Sequence, residues 1–294
     1  MRIVSLLPST TEILFEIGAG DDVVGVTFEC DYPVAARERT IVSTSAMPEG
    51  LTPQQIDAFV AEAVRNGQDL YHLDAGALSG LDAELVVTQD LCAVCAVDVS
   101  VVDDALAHLG CTAEVLTIDP HTLDEVLASI HTLGKATGRQ AEADVLVASL
   151  RIRLDHVVRR TASRKPRRTL VLEWTEPPFA PGHWVPEMTI LAGGVSVLGT
   201  PGAASFRTTW DDVRAAAPEV VVCAPCGYGL GQSTALAHEL VATGELPETT
   251  QVWAVDANAS FARPGPRLVD GVEALASILH PDLVGASPIA TRVR

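Results

Sequence analysis

Arg2-Ile3-Val4-Ser5-Leu6-Leu7-Pro8-Ser9-Thr10-Thr11-Glu12-Ile13-Leu14-Phe15-Glu16-Ile17-Gly18 is the stretch on which the fold turns. Residues 2–7 are apolar and β-branched enough to form a buried strand. Ser9-Thr10-Thr11-Glu12 offers a hydroxyl three positions ahead of a carboxylate, the pattern of a capping box at a helix start. The apolar residues that follow end at Gly18 and Gly20, and residues 23–27 read as the next strand. Strand, helix, strand is the sequence habit of a parallel sheet with crossover helices.

The same alternation runs outward along the chain. Thr52-Pro53-Gln54-Gln55 starts a helix that lasts to about Asn66. Strands are expected over 69–73, 84–88 and 114–118, with a helix over 99–109. Thr122-Leu123-Asp124-Glu125 is a second capping box, and helical periodicity then extends from 123 to about 163, interrupted by Gly134 and Gly138. A second cycle begins with a strand at 169–173 and continues with helices near 186–192, 209–216, 233–243 and 266–279 and strands at 219–222 and 251–255. The organisation expected is α/β, with an N-terminal lobe over 1–138, a linking helix over 139–165, a C-terminal lobe over 166–282 and a loosely held tail over 283–294.

A chain of 294 residues, 48% of them hydrophobic, is far from the composition of a disordered or disulfide-stapled miniprotein and suits two lobes. Its 38 acidic and 20 basic side chains leave a formal charge of -18, which repels nucleic-acid phosphates and anionic lipid surfaces. The one basic run, Arg159 to Arg168, reads either as a docking patch or as a solvated helix end whose cations suit the helix dipole. No apolar stretch is long enough to span a bilayer. Residues 1–30 lack the basic, apolar and small-residue sections of an export signal, so a cytoplasmic location and reduced thiols are expected.

In open parallel sheets, ligands bind outside the carboxyl ends of the strands, so the loops that follow strands are the ones to search. Cys30, Cys92 with Cys95, and Cys223 with Cys226 all fall in such loops. A CxxC pair can grip a tetrahedral metal or a cluster iron, or form a reversible disulfide; packing of small hydrophobic thiols accounts for the same residues equally well. Cys111 precedes a strand and reads as a packing residue. The second pair leads into Gly227-Tyr228-Gly229-Leu230-Gly231, a turn that can bring backbone N–H groups to a ligand. Glu173-Trp174-Thr175-Glu176-Pro177-Pro178-Phe179-Ala180-Pro181-Gly182-His183-Trp184 concentrates aromatics in a chain where they are 4% of residues. Aromatic faces with a few polar groups suit a flat apolar ligand, although such residues also cap hydrophobic cores. GxSxG, Walker-type and HExxH patterns are absent, and no nucleophile or acid/base set is recognisable.

Ser5-Leu6-Leu7-Pro8-Ser9-Thr10-Thr11-Glu12, Asp31-Tyr32-Pro33, Pro177-Pro178-Phe179, Leu191-Ala192-Gly193-Gly194 and Arg263-Pro264-Gly265-Pro266-Arg267 occur in an order that resembles the class III substrate-binding proteins serving ABC importers, and among them the vitamin B12 binders. The resemblance runs from residue 2 to about 280. It implies two Rossmann-like lobes bridged by one rigid helix, here Arg139 to about Ser163, that move little around a ligand. It also implies a metal chelate, with cobalamin or a related corrinoid foremost. Where the family's B12 binders carry an aromatic after the strand equivalent to 85–88, this chain has Gln89-Asp90-Leu91-Cys92-Ala93-Val94-Cys95. With no export signal, the resemblance reads as a cytosolic branch, for which an ABC permease partner is doubtful.

Two functions follow. The leading expectation is a non-catalytic protein holding a corrinoid or other metal chelate in an inter-lobe cleft, contacted by Ser9, Thr10, Thr11, Asp31, Tyr32, Gln89, Glu173, Trp174, Phe179, His183, Trp184, Gly227 and Tyr228. The alternative is an iron–sulfur or zinc protein with redox or enzymatic activity, its metal on Cys30, Cys92, Cys95, Cys223 and Cys226. Neither calls for nucleic acid or membrane insertion.

Overall fold

A computed structural model describes residues 1–66, 68, 70–89 and 112–294. The chain enters through β1 (Ile3–Ser5), α1 (Pro8–Glu16), β2 (Val23–Val26), β3 (Thr40–Ile41), β4 (Ser43–Ser45), α2 (Pro53–Asn66), β5 (Tyr71–Leu73), α3 (Ala75–Leu78), β6 (Leu85–Thr88) and β7 (Glu114–Thr117). After α4 (Leu123–Ala136) and α5 (Gln140–Thr161) come β8 (Arg167–Leu172), β9 (Trp174–Thr175), β10 (Pro178–Ala180), α6 (Val185–Leu191), β11 (Gly194–Ser196), β12 (Phe206–Arg207) and α7 (Trp210–Ala216). The chain finishes with β13 (Val220–Cys223), α8 (Leu230–Thr243), β14 (Gln251–Val255), α9 (Ala257–Ser260), α10 (Leu268–Leu279) and β15 (Ala290–Arg292). The helix expected over 99–109 lies outside the described residues.

These elements form two α/β units, both discontinuous in sequence: Met1–Pro120 with Leu127–Val147, and His121–Val126 with Ala148–Arg294. The first unit is built on a five-stranded sheet ordered β3-β2-β1-β6-β7, parallel throughout. Its central strand β1 is buried at every residue, and Val4, Leu6, Val42, Leu78 and Val86 pack together beside it. The second unit has a five-stranded sheet ordered β11-β8-β13-β14-β15. Central β13, Val220-Val221-Val222-Cys223, is wholly buried, the unbroken apolar run expected of a parallel strand covered on both faces. Leu170, Leu172, Val213, Val221, Leu240 and Val252 are among the residues clustered around it. Burying a side chain of this size stabilises the fold by roughly 1.5–3 kcal/mol.

The helix starts follow local chemistry, with one correction. Thr122 and Glu125 form the expected capping box: Glu125 N donates to Thr122 Oγ1 at 3.2 Å, and Glu125 Oε2 accepts from Thr122 N at 3.0 Å. Thr52 and Gln55 do the same at 3.3 and 2.8 Å. Ser9-Thr10-Thr11-Glu12 is not a capping box, because α1 begins two residues earlier than that box requires, at Pro8, whose fixed φ and missing N–H suit a first helical position. The N-cap is Leu7, with no side-chain cap.

Gly134 does not interrupt α4. A Cβ there would sit 2.5 Å from Ala143 Cβ, so the glycine is where α4 and α5 touch. The break falls at Gly138, which has a φ of 68°. The expected loose tail is also corrected: β15 pairs antiparallel with β14, Trp253 opposite Arg292 and Val255 opposite Ala290. Without it β14 would present an open row of backbone donors and acceptors, and the alternating Ile289-Ala290-Thr291-Arg292-Val293 supplies the strand that closes it.

Candidate functional site

In the first unit, the loops after β2, β1 and β6 leave the same end of three neighbouring parallel strands. They carry Cys30-Asp31-Tyr32, Ser9-Thr10-Thr11 and Gln89. Ser9, Thr10 and Thr11 are buried. Thr10 Oγ1 and Thr11 Oγ1 each lie 2.8 Å from Ser5 Oγ, and they donate toward the Leu7 carbonyl at 3.1 and 3.0 Å. Thr11 Oγ1 is also 3.1 Å from the buried Cys30 Sγ. The threonine hydroxyls thus knit the loop after β1 to the start of α1. Gln89 is buried, Asp31 half-buried and Tyr32 exposed. Two aromatics not anticipated from the sequence stand beside the β2 loop: exposed Phe28 within it, and Tyr71 on β5, whose ring is 5.8 Å from that of Phe28 and whose hydroxyl donates to Glu29 Oε2 at 3.1 Å. A cavity of about 540 Å³ between α2 and β5, lined by residues such as Phe59, Leu70 and Tyr71, contains none of the expected ligand residues.

The second unit gathers more of the expected set. β8 ends at Leu172 and runs into Glu173 and the β9–β10 hairpin, in which Trp174 pairs with Phe179. Neighbouring β13 ends at Cys223 and leads to the turn at Gly227 and Tyr228. The two loops meet: the Trp174 and Tyr228 rings are 5.4 Å apart at 67°, an edge-on contact. Arg207, opposite Phe179 on β12, places its guanidinium 5.7 Å from the Phe179 ring centre. Glu173 is half-buried, and its Oε1 accepts from Gly182 N at 2.9 Å. Burial pushes its carboxyl up to about 7, against the lowering effect of the Gly182 N–H and the Ser205 hydroxyl. Burial, with Glu239 adding to it, also raises the Tyr228 hydroxyl.

Trp184 and His183 occupy different settings. Trp184 is buried, and its indole Nε1 donates to the Phe261 carbonyl at 2.7 Å, so it anchors the core. His183 is half-buried, holds a φ of 51° and stacks at an angle between His121 and Trp184, with ring centres 5.7 and 5.6 Å away. Gly227 takes a φ of 78° with open space where a Cβ would lie.

The cysteines need correction. Cys223 is fully buried in the second unit's apolar cluster, and that burial pushes its thiol up to about 12, far from the thiolate a metal requires. Cys226, on the turn beyond it, is exposed. The CxxC spacing therefore puts one sulfur in hydrocarbon and one in water, because β13 ends between them. Cys92 and Cys95 lie outside the described residues. Among the described residues no three His, Cys, Asp or Glu side chains converge to hold a metal ion, and nothing supports an iron–sulfur or zinc site. No described helix is long and apolar enough to cross a membrane.

Arg207 and Ser205 join this face from positions distant in sequence, and no local motif announces them. Only the register of β10 with β12, and the chain reversals around Gly182, bring them in.

Comparison with known proteins identifies the family and the fold. A family model described as periplasmic binding protein matches residues 3–252. An uncharacterized ABC transporter substrate-binding lipoprotein, YvrC of Bacillus subtilis, is 26% identical over 96% of this chain and 80% of its own length. A vitamin B12-binding protein of Vibrio cholerae is 26% identical, with 95% and 88% covered. The crystal structure of the periplasmic vitamin B12 binding protein BtuF of Vibrio cholerae superposes with a TM-score of 0.66 at 24% identity, covering 95% of this chain and 96% of that one. A periplasmic heme binding protein from Pseudomonas aeruginosa gives a TM-score of 0.70 at 18% identity, with 99% and 97% covered.

Proposed function

The chain belongs to the periplasmic binding protein family, and from that premise we propose that it is a non-catalytic binding protein for a flat metal chelate, a corrinoid of the cobalamin type. The observation that carries this reading is the aromatic face on the second unit, where Trp174 and Tyr228 meet beyond the carboxyl ends of β8 and β13 and Phe179 stands opposite Trp174 on the hairpin. A macrocycle offers a broad apolar plane with polar groups at its rim. The half-buried rings of Phe179 and Tyr228, backed by buried Trp174 and flanked by Arg207, Glu173 and the Gly227 turn, supply the complement. The vitamin B12-binding relatives support the corrinoid over other chelates. In this reading the ligand is handed to an ABC permease, the partner that the name of the Bacillus relative points to.

The test is direct titration of the purified chain with hydroxocobalamin and, separately, with hemin, followed by calorimetry and by absorption of the chelate. Hydroxocobalamin is expected to bind in the micromolar range or tighter. Phe179→Ala and Tyr228→Ala are each expected to weaken it roughly tenfold, as loss of an aromatic contact at a buried interface does. Tight hemin binding with no response to hydroxocobalamin would move the ligand to porphyrins, and silence with both would sink the chelate reading.

A further inference from the structure

Glu173 lies at the meeting point of the segments that make up the aromatic face, and it touches them through different atoms. Its backbone N–H donates to the Phe179 carbonyl at 3.2 Å, and its own carbonyl accepts from Cys226 N at 3.2 Å. The first bond fixes the hairpin of Trp174 and Phe179; the second fixes the turn that carries Tyr228. Its side chain reaches the other way, taking the Gly182 N–H at 2.9 Å and the Ser205 hydroxyl. At that point the 181–184 and 202–205 segments are pressed together so closely that a Cβ on Gly182 would lie 2.0 Å from Ser205 N. His183 N donates to Ala203 O at 2.6 Å, and Gly202 N donates back to His183 O at 2.9 Å.

We propose that Glu173 is the positioning residue of this face: its side chain, by gaining or losing one proton, sets how the 181–184 and 202–205 segments are held against the aromatic hairpin. The proposal rests on the reading of this face as the ligand-binding surface for its biological meaning, but not for its test. As a carboxylate the side chain accepts from both Gly182 and Ser205. As a neutral acid it keeps one acceptor and gains a donor, so the Ser205 hydroxyl must turn and accept instead. Bonds to the ionised form are roughly twice as strong as those to the neutral one, so acidification loosens the clasp.

The pH range is set locally. Burial raises the carboxyl to about 7, and the two donors oppose that rise. Other ionisable groups on the elements around it are Glu176 on the hairpin, Arg207 on β12, Cys226 and Tyr228 on the turn after β13, and His183 beside Gly182. None of these figures among the causes of the Glu173 shift.

The experiment follows the Gly182 amide by proton–nitrogen correlation spectroscopy of the full chain without ligand, between about pH 5.5 and pH 8.5. A single titration with a midpoint near 7 is expected, accompanied by a shift of the Trp174 indole signal. Glu173→Gln, which preserves shape and acceptor but cannot ionise, should leave both signals flat. Ser205→Ala, which removes one donor that favours the charged form, should move the Gly182 midpoint to higher pH. A Gly182 amide that does not respond across this range, or one that titrates identically in Glu173→Gln, overturns the proposal, as does an unmoved midpoint in Ser205→Ala. If the amide titrates as described and neither hydroxocobalamin nor hemin binds, the clasp stands and the chelate reading fails.

Discussion

Because the folded chain holds the Glu173 proton up to about pH 7 while an unfolded chain releases it near 4.5, the native state binds the extra proton between those values. A raised carboxyl contributes its stability in full below the unfolded value and loses it as pH climbs through the folded one. At about 1.4 kcal/mol for each pH unit, the gap is worth up to roughly 3 kcal/mol. Denaturation by urea at pH 5, 6, 7 and 8 should show the wild type weakening relative to Glu173→Gln over that interval. Parallel pH profiles for the two proteins would mean that Glu173 ionises as it does in water. The thiols divide just as sharply. Cys226 is exposed and should react promptly with a thiol reagent in the native state, whereas Cys223, buried and with its thiol pushed up to about 12, should react only after unfolding. Comparing modified peptides before and after denaturant, by mass spectrometry, distinguishes the two. Spacing alone could not, because CxxC is the same in sequence whether or not a strand ends between its sulfurs.

Among the elements, the pairing of α4 with α5 depends on a glycine that sequence reasoning takes for a breaker. With 2.5 Å between a built Cβ and Ala143 Cβ, Gly134→Val forces the two helices apart and should cost about 1–3 kcal/mol. Thermal melts would show this as a loss of several degrees, and an unchanged melting temperature would mean that the helices yield freely. The alternation of strands and helices was legible because buried parallel strands announce themselves as β-branched runs and helices by their caps; β13 and the Thr122 and Thr52 boxes are instances. The short antiparallel pieces were not legible. β9, β10 and β12 are each two or three residues long, too short to show an alternating pattern, and β12 reaches its partner β10 only across the long connection that includes α6 and β11. β15 escaped for the same reason: its pattern is ordinary, and only the exposed edge of β14 gives it a place.

For the molecule as a whole, fold and family followed from ordered motifs spread over the chain, while the candidate site was only half visible. Glu173, Trp174, Phe179 and Tyr228 stand out in the sequence because they crowd loops that follow strands. Thr10, Thr11 and Trp184 were drawn in by the same logic, yet their polar atoms are spent on neighbours within the fold. The sequence carries no mark of whether a hydroxyl faces inward, since a shift of two residues in the start of α1 decides it. The two units are interleaved along the backbone, residues 121–126 counting with the second unit before 127–147 return to the first. Genetic dissection must reckon with that threading. A gene split in the middle of α5 strands the 121–126 segment, with its Glu125-capped helix start and the bond from Leu123 N to Glu187, on the wrong half. Reassembly of separately expressed halves would then have to restore a hexapeptide as well as a broken helix, and split-reporter designs built on this scaffold are better cut at a surface loop inside one unit.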